Sequence, residues 1–145
     1  MTNLILPHGS NELNTLYIED EMARSSMLSA AAEMRSLEIS SAAAANAVMM
    51  AAGYFNPLTG FMNKEEAIKV SKEMLTLDDV FWPVPIVNIT KDANSLDYTH
   101  GEEIALKDPN IEGNPVIAIQ RIDNVEKLTD DDIETIVKNV FGTTD

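Results

Sequence analysis

Residues 103–122, EIALKDPNIEGNPVIAIQRI, contain two apolar runs separated by a segment rich in turn-forming residues. The runs Glu103–Lys107 and Pro115–Ile122 have the composition of strands. The residues between them, 108–114, include two asparagines, a proline and a glycine, which favour turns. The stretch therefore predicts two strands that are joined by a turn-rich connection.

Four helical segments flank these strands in the sequence. Apolar side chains recur at spacings of three and four, and residues that cap helices stand at the ends of the segments. The first predicted helix is Met22–Arg35, with the apolar stripe Ala23, Met27, Ala31 and Met34. The second runs from Ser40 or Ser41 to Ala52 and is stopped by Gly53, and the third runs from Asn63 to about Leu75, with Glu66 at capping-box spacing. The fourth runs from Thr129 to Gly142, with the apolar stripe Ile133, Ile136, Val137 and Val140.

Two shorter segments have weaker strand patterns. Leu37 and Ile39 alternate with polar neighbours, which indicates a short strand. In residues 82–86, Trp82, Val84 and Ile86 alternate with two prolines, which cannot donate ladder hydrogen bonds, so we expect an edge or bulged strand with Trp82 buried. Helices come first, strands later and a helix last. This order predicts an α+β fold.

The charge of the chain restricts its partners. Ten Lys and Arg residues stand against 24 Asp and Glu residues, for a formal net charge of −14. Residues 1–72 contribute −3 and residues 73–145 contribute −11. Such a surface repels nucleic-acid phosphates and anionic lipids, and no apolar run approaches the ~18 residues of a membrane span. The sequence therefore predicts no nucleic-acid partner, no membrane partner and a cytoplasmic location.

The residues that could carry chemistry are sparse. There is no cysteine, and the glycines form no phosphate-binding motif. His8 and His100 are far apart, without carboxylates at metal-ligand spacing, so loop positions are the better interpretation. Asp130–Asp132 could bind a hard cation, but capping of the last helix explains them better. The eight methionines are interpreted as core filler. We predict no catalytic, cofactor-binding or metal-binding residue.

An aromatic loop, residues 53–62 (GYFNPLTGFM), is the most unusual segment. It holds three aromatic side chains between glycines, although loops are normally polar, so part of it must be buried. It either plugs the core of its own domain or docks another domain or partner. We expect Phe55 and Phe61 to be core residues and Tyr54 and Leu58 to be docking residues.

With its neighbours, this loop resembles the N-terminal region of ATP sulfurylase (sulfate adenylyltransferase). The family pattern there is an alanine-rich helix followed by G-x-F-S-P-L-x-G-F-M, with Asn56 here in place of the serine. The run Asn46–Gly53 looks closest to the branch of sulfur-oxidising bacteria. Four further segments match family motifs in the same order: Leu6–Gly9 (P-H-G), Phe81–Ile86 (W-P-I-P-I), Ile104–Asp108 (V-A-L-x-D) and Val140–Asp145 (V-F-G-T-T-D).

The resemblance implies a fold and a place in an enzyme. It implies a PUA-like β-barrel or pseudobarrel with flanking helices over residues 1–145, in an enzyme that converts ATP and sulfate to adenosine 5′-phosphosulfate and pyrophosphate. The family's catalytic motifs Q-x-R-N-P, H-x-x-H and G-R-D-H-A-G do not occur in this sequence. ATP and sulfate would therefore bind a nucleotidyl-transferase domain absent from this chain, and we expect the chain alone to be inactive.

Two hypotheses follow. In the first, the chain is a non-catalytic domain that packs against the catalytic domain of the same enzyme, with a homo-oligomer possible. In the second, it is a free-standing module that recruits a protein partner through loop 53–62. PUA-like barrels elsewhere often bind RNA, but the net charge of −14 argues against RNA here.

Overall fold

A computed structural model describes residues 4–91 and 97–144. The chain divides into two compact units. Unit 1 comprises Met1–Gly60 and Ile89–Val125, and unit 2 comprises Phe61–Asn88 and Glu126–Asp145.

The sheet of unit 1 has three strands in the order β1-β2-β3. They are β1 (Ser36–Glu38), β2 (Glu103–Lys107) and β3 (Val116–Arg121). β1 pairs with β2 in parallel, and β2 pairs with β3 antiparallel, with a register shift at Leu106/Lys107. Ile104, Ala105 and Leu106 are all at most 1% exposed, so the central strand is buried on both faces. All three strands were predicted from the sequence, and the α+β class is confirmed.

The first helix of unit 1, α1 (Glu21–Ala31), is shorter than predicted. Asp20 caps it by accepting a hydrogen bond from the Ala23 N–H at 2.7 Å. The chain leaves the helix in a turn after Ala31, so the expected extension to Arg35 is wrong. Of its predicted apolar stripe only Ala31 is buried, because α1 lies at the surface over most of its length.

The second helix, α2 (Ser41–Ala51), begins as predicted and ends one residue before the predicted end at Ala52, which is its C-cap. The Ser40 hydroxyl accepts a hydrogen bond from the Ala43 N–H, and Gly53 follows the helix with φ of +80°. Ala43, Ala44 and Met50 join Leu37 and Ile39 among the buried residues of the unit.

Unit 2 is built on two helices that pack against each other, α3 (Lys64–Glu73) and α4 (Asp130–Phe141). Asn63 caps α3 as predicted, but the Glu66 side chain accepts from the Leu77 N–H, so the expected capping box is only half formed. α3 ends at Glu73 rather than Leu75, since Met74 takes a left-handed conformation with φ of 56°. α4 ends at Gly142, as predicted.

The expected strand at 82–86 is wrong. The prolines remove two backbone donors, and within residues 4–91 and 97–144 the only isolated β-bridge joins Leu75 and Phe81, outside 82–86. Trp82 is 7% exposed and Ile86 3%, which confirms the burial of Trp82. Val84, however, is 42% exposed, so the three side chains do not share one buried face.

The methionines are also not mainly core residues. Met50 and Met62 are buried, whereas four others are exposed: Met22, Met27, Met49 and Met74. An apolar stripe predicts a buried face only where another element covers it, and α1 has little such cover.

Candidate functional site

Loop 53–62 begins as a series of turns that follow α2. The Gly53 and Tyr54 N–H groups donate to the carbonyls of Met50 and Met49, which ends the helix. The Leu58 N–H then donates to the Phe55 carbonyl at 2.7 Å. Residues up to Gly60 belong to unit 1, while Phe61 and Met62 belong to unit 2.

The loop exposes one of its two predicted docking residues much more than the other. Tyr54 is 75% exposed, and Leu58 is half-buried. Phe55 and Phe61, expected in the core, are both half-buried rather than fully buried. The loop thus presents a single aromatic side chain, Tyr54, to solvent. Docking through Tyr54 and Leu58 stays a prediction.

The buried polar centre of the loop is Asn56, which is 5% exposed. Its side-chain oxygen accepts a hydrogen bond from the Asn14 N–H at 3.0 Å. Its amide nitrogen donates to the His8 carbonyl and to the Ser10 hydroxyl, both at 2.8 Å. Asn56 therefore anchors the chain segment 8–14 to the loop. Sequence reasoning missed this role, although an amide inside an apolar loop is a signal for a buried hydrogen-bonding centre.

The same segment passes close to Gly53. A Cβ atom at Gly53 would lie 3.0 Å from Leu13 Cδ1 and 3.1 Å from the Asn14 carbonyl oxygen. The Leu16 N–H donates to the Ala51 carbonyl at 2.9 Å, which extends the contact to the last residue of α2. The left-handed φ of Gly53 and this close approach both require glycine.

The three arginines of the chain have different surroundings. Arg24 Nη1 donates to the Ile18 carbonyl at 3.3 Å. Arg35 Nη1 lies 3.2 Å from Glu102 Oε1, and its guanidinium stacks over the Tyr98 ring at 4.3 Å. Arg121, the last residue of β3, is exposed. Phosphoryl-transfer sites gather several cations or a metal around one phosphate, whereas Arg35 is paired with a carboxylate and an aromatic ring.

The histidines lie in exposed loops, and the acidic run Asp130–Asp132 lies in the first turn of α4, as expected. His100 Nδ1 lies 2.9 Å from the Asp123 carbonyl oxygen, and His8 lies in an exposed loop. Across residues 4–91 and 97–144, no group of three or more His, Cys, Asp or Glu side chains could hold a metal ion. In the same ranges no helix is long and apolar enough to cross a bilayer.

Asp132 closes the capping box of α4. Its carboxylate accepts from the Thr129 N–H at 2.8 Å, while the Thr129 hydroxyl accepts from the Asp132 N–H at 3.2 Å. Lys64 Nζ lies 2.6 Å from the same carboxylate. Hydrogen bonds from Lys64 and Thr129 lower the pKa of Asp132 from 3.8 to about 2. This carboxylate caps the N-terminus of α4.

Comparison with known proteins places these observations in a family. Residues 5–145 match the family model described as a PUA-like domain. The chain is 49% identical over 145 residues to the sulfate adenylyltransferase of Alcanivorax borkumensis, covering 100% of this chain and 36% of that protein. It is 39% identical over 142 residues to the sulfate adenylyltransferase of Allochromatium vinosum, covering 98% of this chain and 35% of that protein.

A solved structure, the hexameric APS kinase from Thiobacillus denitrificans, is similar with a TM-score of 0.70 at 30% identity. The similarity covers 86% of this chain and 24% of that chain. The chain thus spans about a third of the length of the curated relatives cited above. Its helices, its three-stranded mixed sheet and the match over residues 5–145 agree: the chain belongs to the PUA-like domain family.

Proposed function

We propose that this chain is the N-terminal, non-catalytic domain of a sulfate adenylyltransferase that acts in sulfur metabolism in the cytoplasm. The observation that carries the proposal is the 49% identity to such an enzyme over all 145 residues, which account for 36% of that enzyme's length. The enzyme would join ATP and sulfate to give adenosine 5′-phosphosulfate and pyrophosphate.

The distribution of charge supports a non-catalytic role. A site for ATP and sulfate must offset the charge of several phosphate and sulfate oxygens. This chain carries a net charge of −14, and Arg35 is already engaged by Glu102 and Tyr98. ATP and sulfate would therefore bind the remaining part of the enzyme, and this domain would need no cofactor of its own.

The partners would be the catalytic domain of the same enzyme and further copies of it. A domain that covers a third of its relatives' length has the rest of the enzyme as its natural neighbour. The similar solved structure is a hexameric APS kinase, which supports a homo-oligomer for the whole enzyme.

The test is an assay of pyrophosphate release from ATP and sulfate with the purified 145-residue chain. The sulfate adenylyltransferase of Alcanivorax borkumensis serves as the positive control. We expect release at the level of buffer from this chain alone. Sulfate-dependent release above that level would contradict the non-catalytic assignment.

A chimera tests whether the chain belongs to such an enzyme. This chain replaces the matching region of the Alcanivorax borkumensis enzyme, and a second variant deletes that region. We expect the chimera to be soluble and to make adenosine 5′-phosphosulfate, and the deletion to be impaired. A chimera no more active than the deletion would count against the proposal.

The exposed Tyr54 favours a second candidate function, that of a protein-binding module that docks a partner through loop 53–62. In that case Tyr54→Ala would abolish partner binding and leave the fold intact. In the chimera, the same substitution would leave activity unchanged if the loop serves only a separate partner.

A further inference from the structure

The helix α4 carries an apolar stripe that unit 2 leaves accessible. Ile133, Val137 and Phe141 follow one another at intervals of four residues and so lie along one side of the helix. Ile133 is 44% exposed and Phe141 is 74% exposed. No residue of α4 is buried, although the helix packs against α3.

A shallow groove of about 420 Å³, largely open to solvent, lies beside this stripe and is lined by Asp130, Ile133, Glu134, Val137 and Thr144. Asp130 and Glu134 are exposed and stand one helical turn apart, so two carboxylates border the apolar side chains. Within residues 4–91 and 97–144, neither of these carboxylates has an ion-pair partner. The nearby Lys64 pairs with Asp132.

We propose that this groove docks a cationic amphipathic segment of a partner protein, in which Lys or Arg residues flank apolar side chains. The apolar side chains would cover Ile133 and Val137, as an amphipathic helix does in a hydrophobic groove. The Lys or Arg residues would pair with Asp130 and Glu134. This docking is separate from loop 53–62 and goes beyond the proposed place in an adenylyltransferase.

Charge complementarity selects this class of partner. Unit 2, which contains α4, has 5 Lys residues against 11 Asp and Glu residues, a net charge of −6, so an acidic segment would be repelled. A purely apolar segment would remove water from Asp130 and Glu134 without giving them partners, which is unfavourable. A cationic segment satisfies both the carboxylates and the apolar stripe.

The test titrates the full ¹⁵N-labelled chain with a synthetic amphipathic helical peptide of Leu and Lys. A scrambled peptide of the same composition, which has no apolar face, is the control ligand. We expect amide shifts concentrated in residues 130–144 with the amphipathic peptide, and much weaker binding of the scrambled one. Shifts spread evenly over the acidic surface, or equal binding of both peptides, would overturn the proposal.

Two charge reversals locate the site. Glu134→Lys lies on the groove, and the control Glu112→Lys lies in the exposed connection between β2 and β3. Both variants change the net charge equally, but only Glu134 lines the groove. We therefore expect about fivefold weaker peptide binding for Glu134→Lys and less than about twofold change for Glu112→Lys, in line with the strength of exposed ion pairs. Phe141→Ser, at a largely exposed position, should also weaken binding. Equal losses for both charge reversals would contradict docking at this groove.

Discussion

The side chain of Asn56 binds the backbone N–H of Asn14, 42 residues earlier in the chain, at 3.0 Å. The amide nitrogen of Asn56 donates two further hydrogen bonds, to the His8 carbonyl and to the Ser10 hydroxyl. This one side chain therefore connects a surface segment near the N-terminus to loop 53–62.

Replacement of Asn56 should destabilise the protein. Asn56→Ala removes all three hydrogen bonds at a buried site, so we expect a loss of about 2–3 kcal/mol in the free energy of unfolding. Urea denaturation measures the loss. Asn124→Ala, at an exposed position, is the control and should change stability by less than about 0.5 kcal/mol. Equal stability of the two variants would show that the amide does not anchor residues 8–14.

Three glycine-to-alanine variants should separate backbone strain from steric contact. At Gly60 the backbone is ordinary and the space is open, so Gly60→Ala should be neutral or slightly stabilising. Gly113 has φ of +84° with open space, which predicts a loss of about 1 kcal/mol. Gly53 combines φ of +80° with the contacts to Leu13 and Asn14, so Gly53→Ala should cost more, about 2–4 kcal/mol. Thermal melts rank the three variants, and a Gly53 variant as stable as the Gly113 variant would argue against close approach.

Neighbouring aromatic residues in loop 53–62 should differ in their effect on stability. Phe55 is half-buried, so Phe55→Ala should cost about 2 kcal/mol, less than the ~3–5 kcal/mol of a fully buried phenylalanine. Tyr54 is 75% exposed, so Tyr54→Ala should cost less than about 0.5 kcal/mol. The two melting temperatures are compared in parallel. Equal, negligible shifts would refute the partial burial of Phe55.

The capping carboxylate Asp132 should make stability depend on acid pH. Its pKa is lowered from 3.8 to about 2 in the folded protein, so its stabilising contribution is complete above pH 3.8 and is lost as the pH falls through about 2. The stability difference between the wild type and Asp132→Asn should therefore shrink between about pH 5 and pH 2. Denaturation across this range measures it. Asp131→Asn, which removes the same charge at an exposed neighbouring position, is the control.

RNA should not bind at physiological salt. Non-specific affinity comes mainly from Lys and Arg contacts to phosphates, and this chain has 10 such residues among 24 acidic ones. Fluorescence anisotropy with a labelled structured RNA tests the prediction. Saturable binding at micromolar concentration would overturn it.

Local features of this protein were predictable from the sequence. Ser40, Asn63 and Thr129 cap their helices as predicted, because a capping side chain bonds to an N–H only three residues away. Gly53 and Gly142 follow their helices in left-handed conformations for the same local reason. β1, β2 and β3 follow from apolar runs and the turn residues between two of them.

Which apolar residues are covered depends on how distant parts of the chain pack together. Met27 and Val84 fit buried patterns in the sequence yet are 38% and 42% exposed, because burial depends on elements distant in the chain. The backbone bonds of residues 82–86 likewise depend on partners elsewhere, such as the Met62 N–H that donates to the Ile86 carbonyl.

The partners of Asn56 show the same division. The sequence alone determined that a polar amide interrupts an apolar loop. Its three hydrogen bonds reach across 42, 46 and 48 residues. Such contacts form only once the whole chain has folded around them, because no local periodicity encodes them.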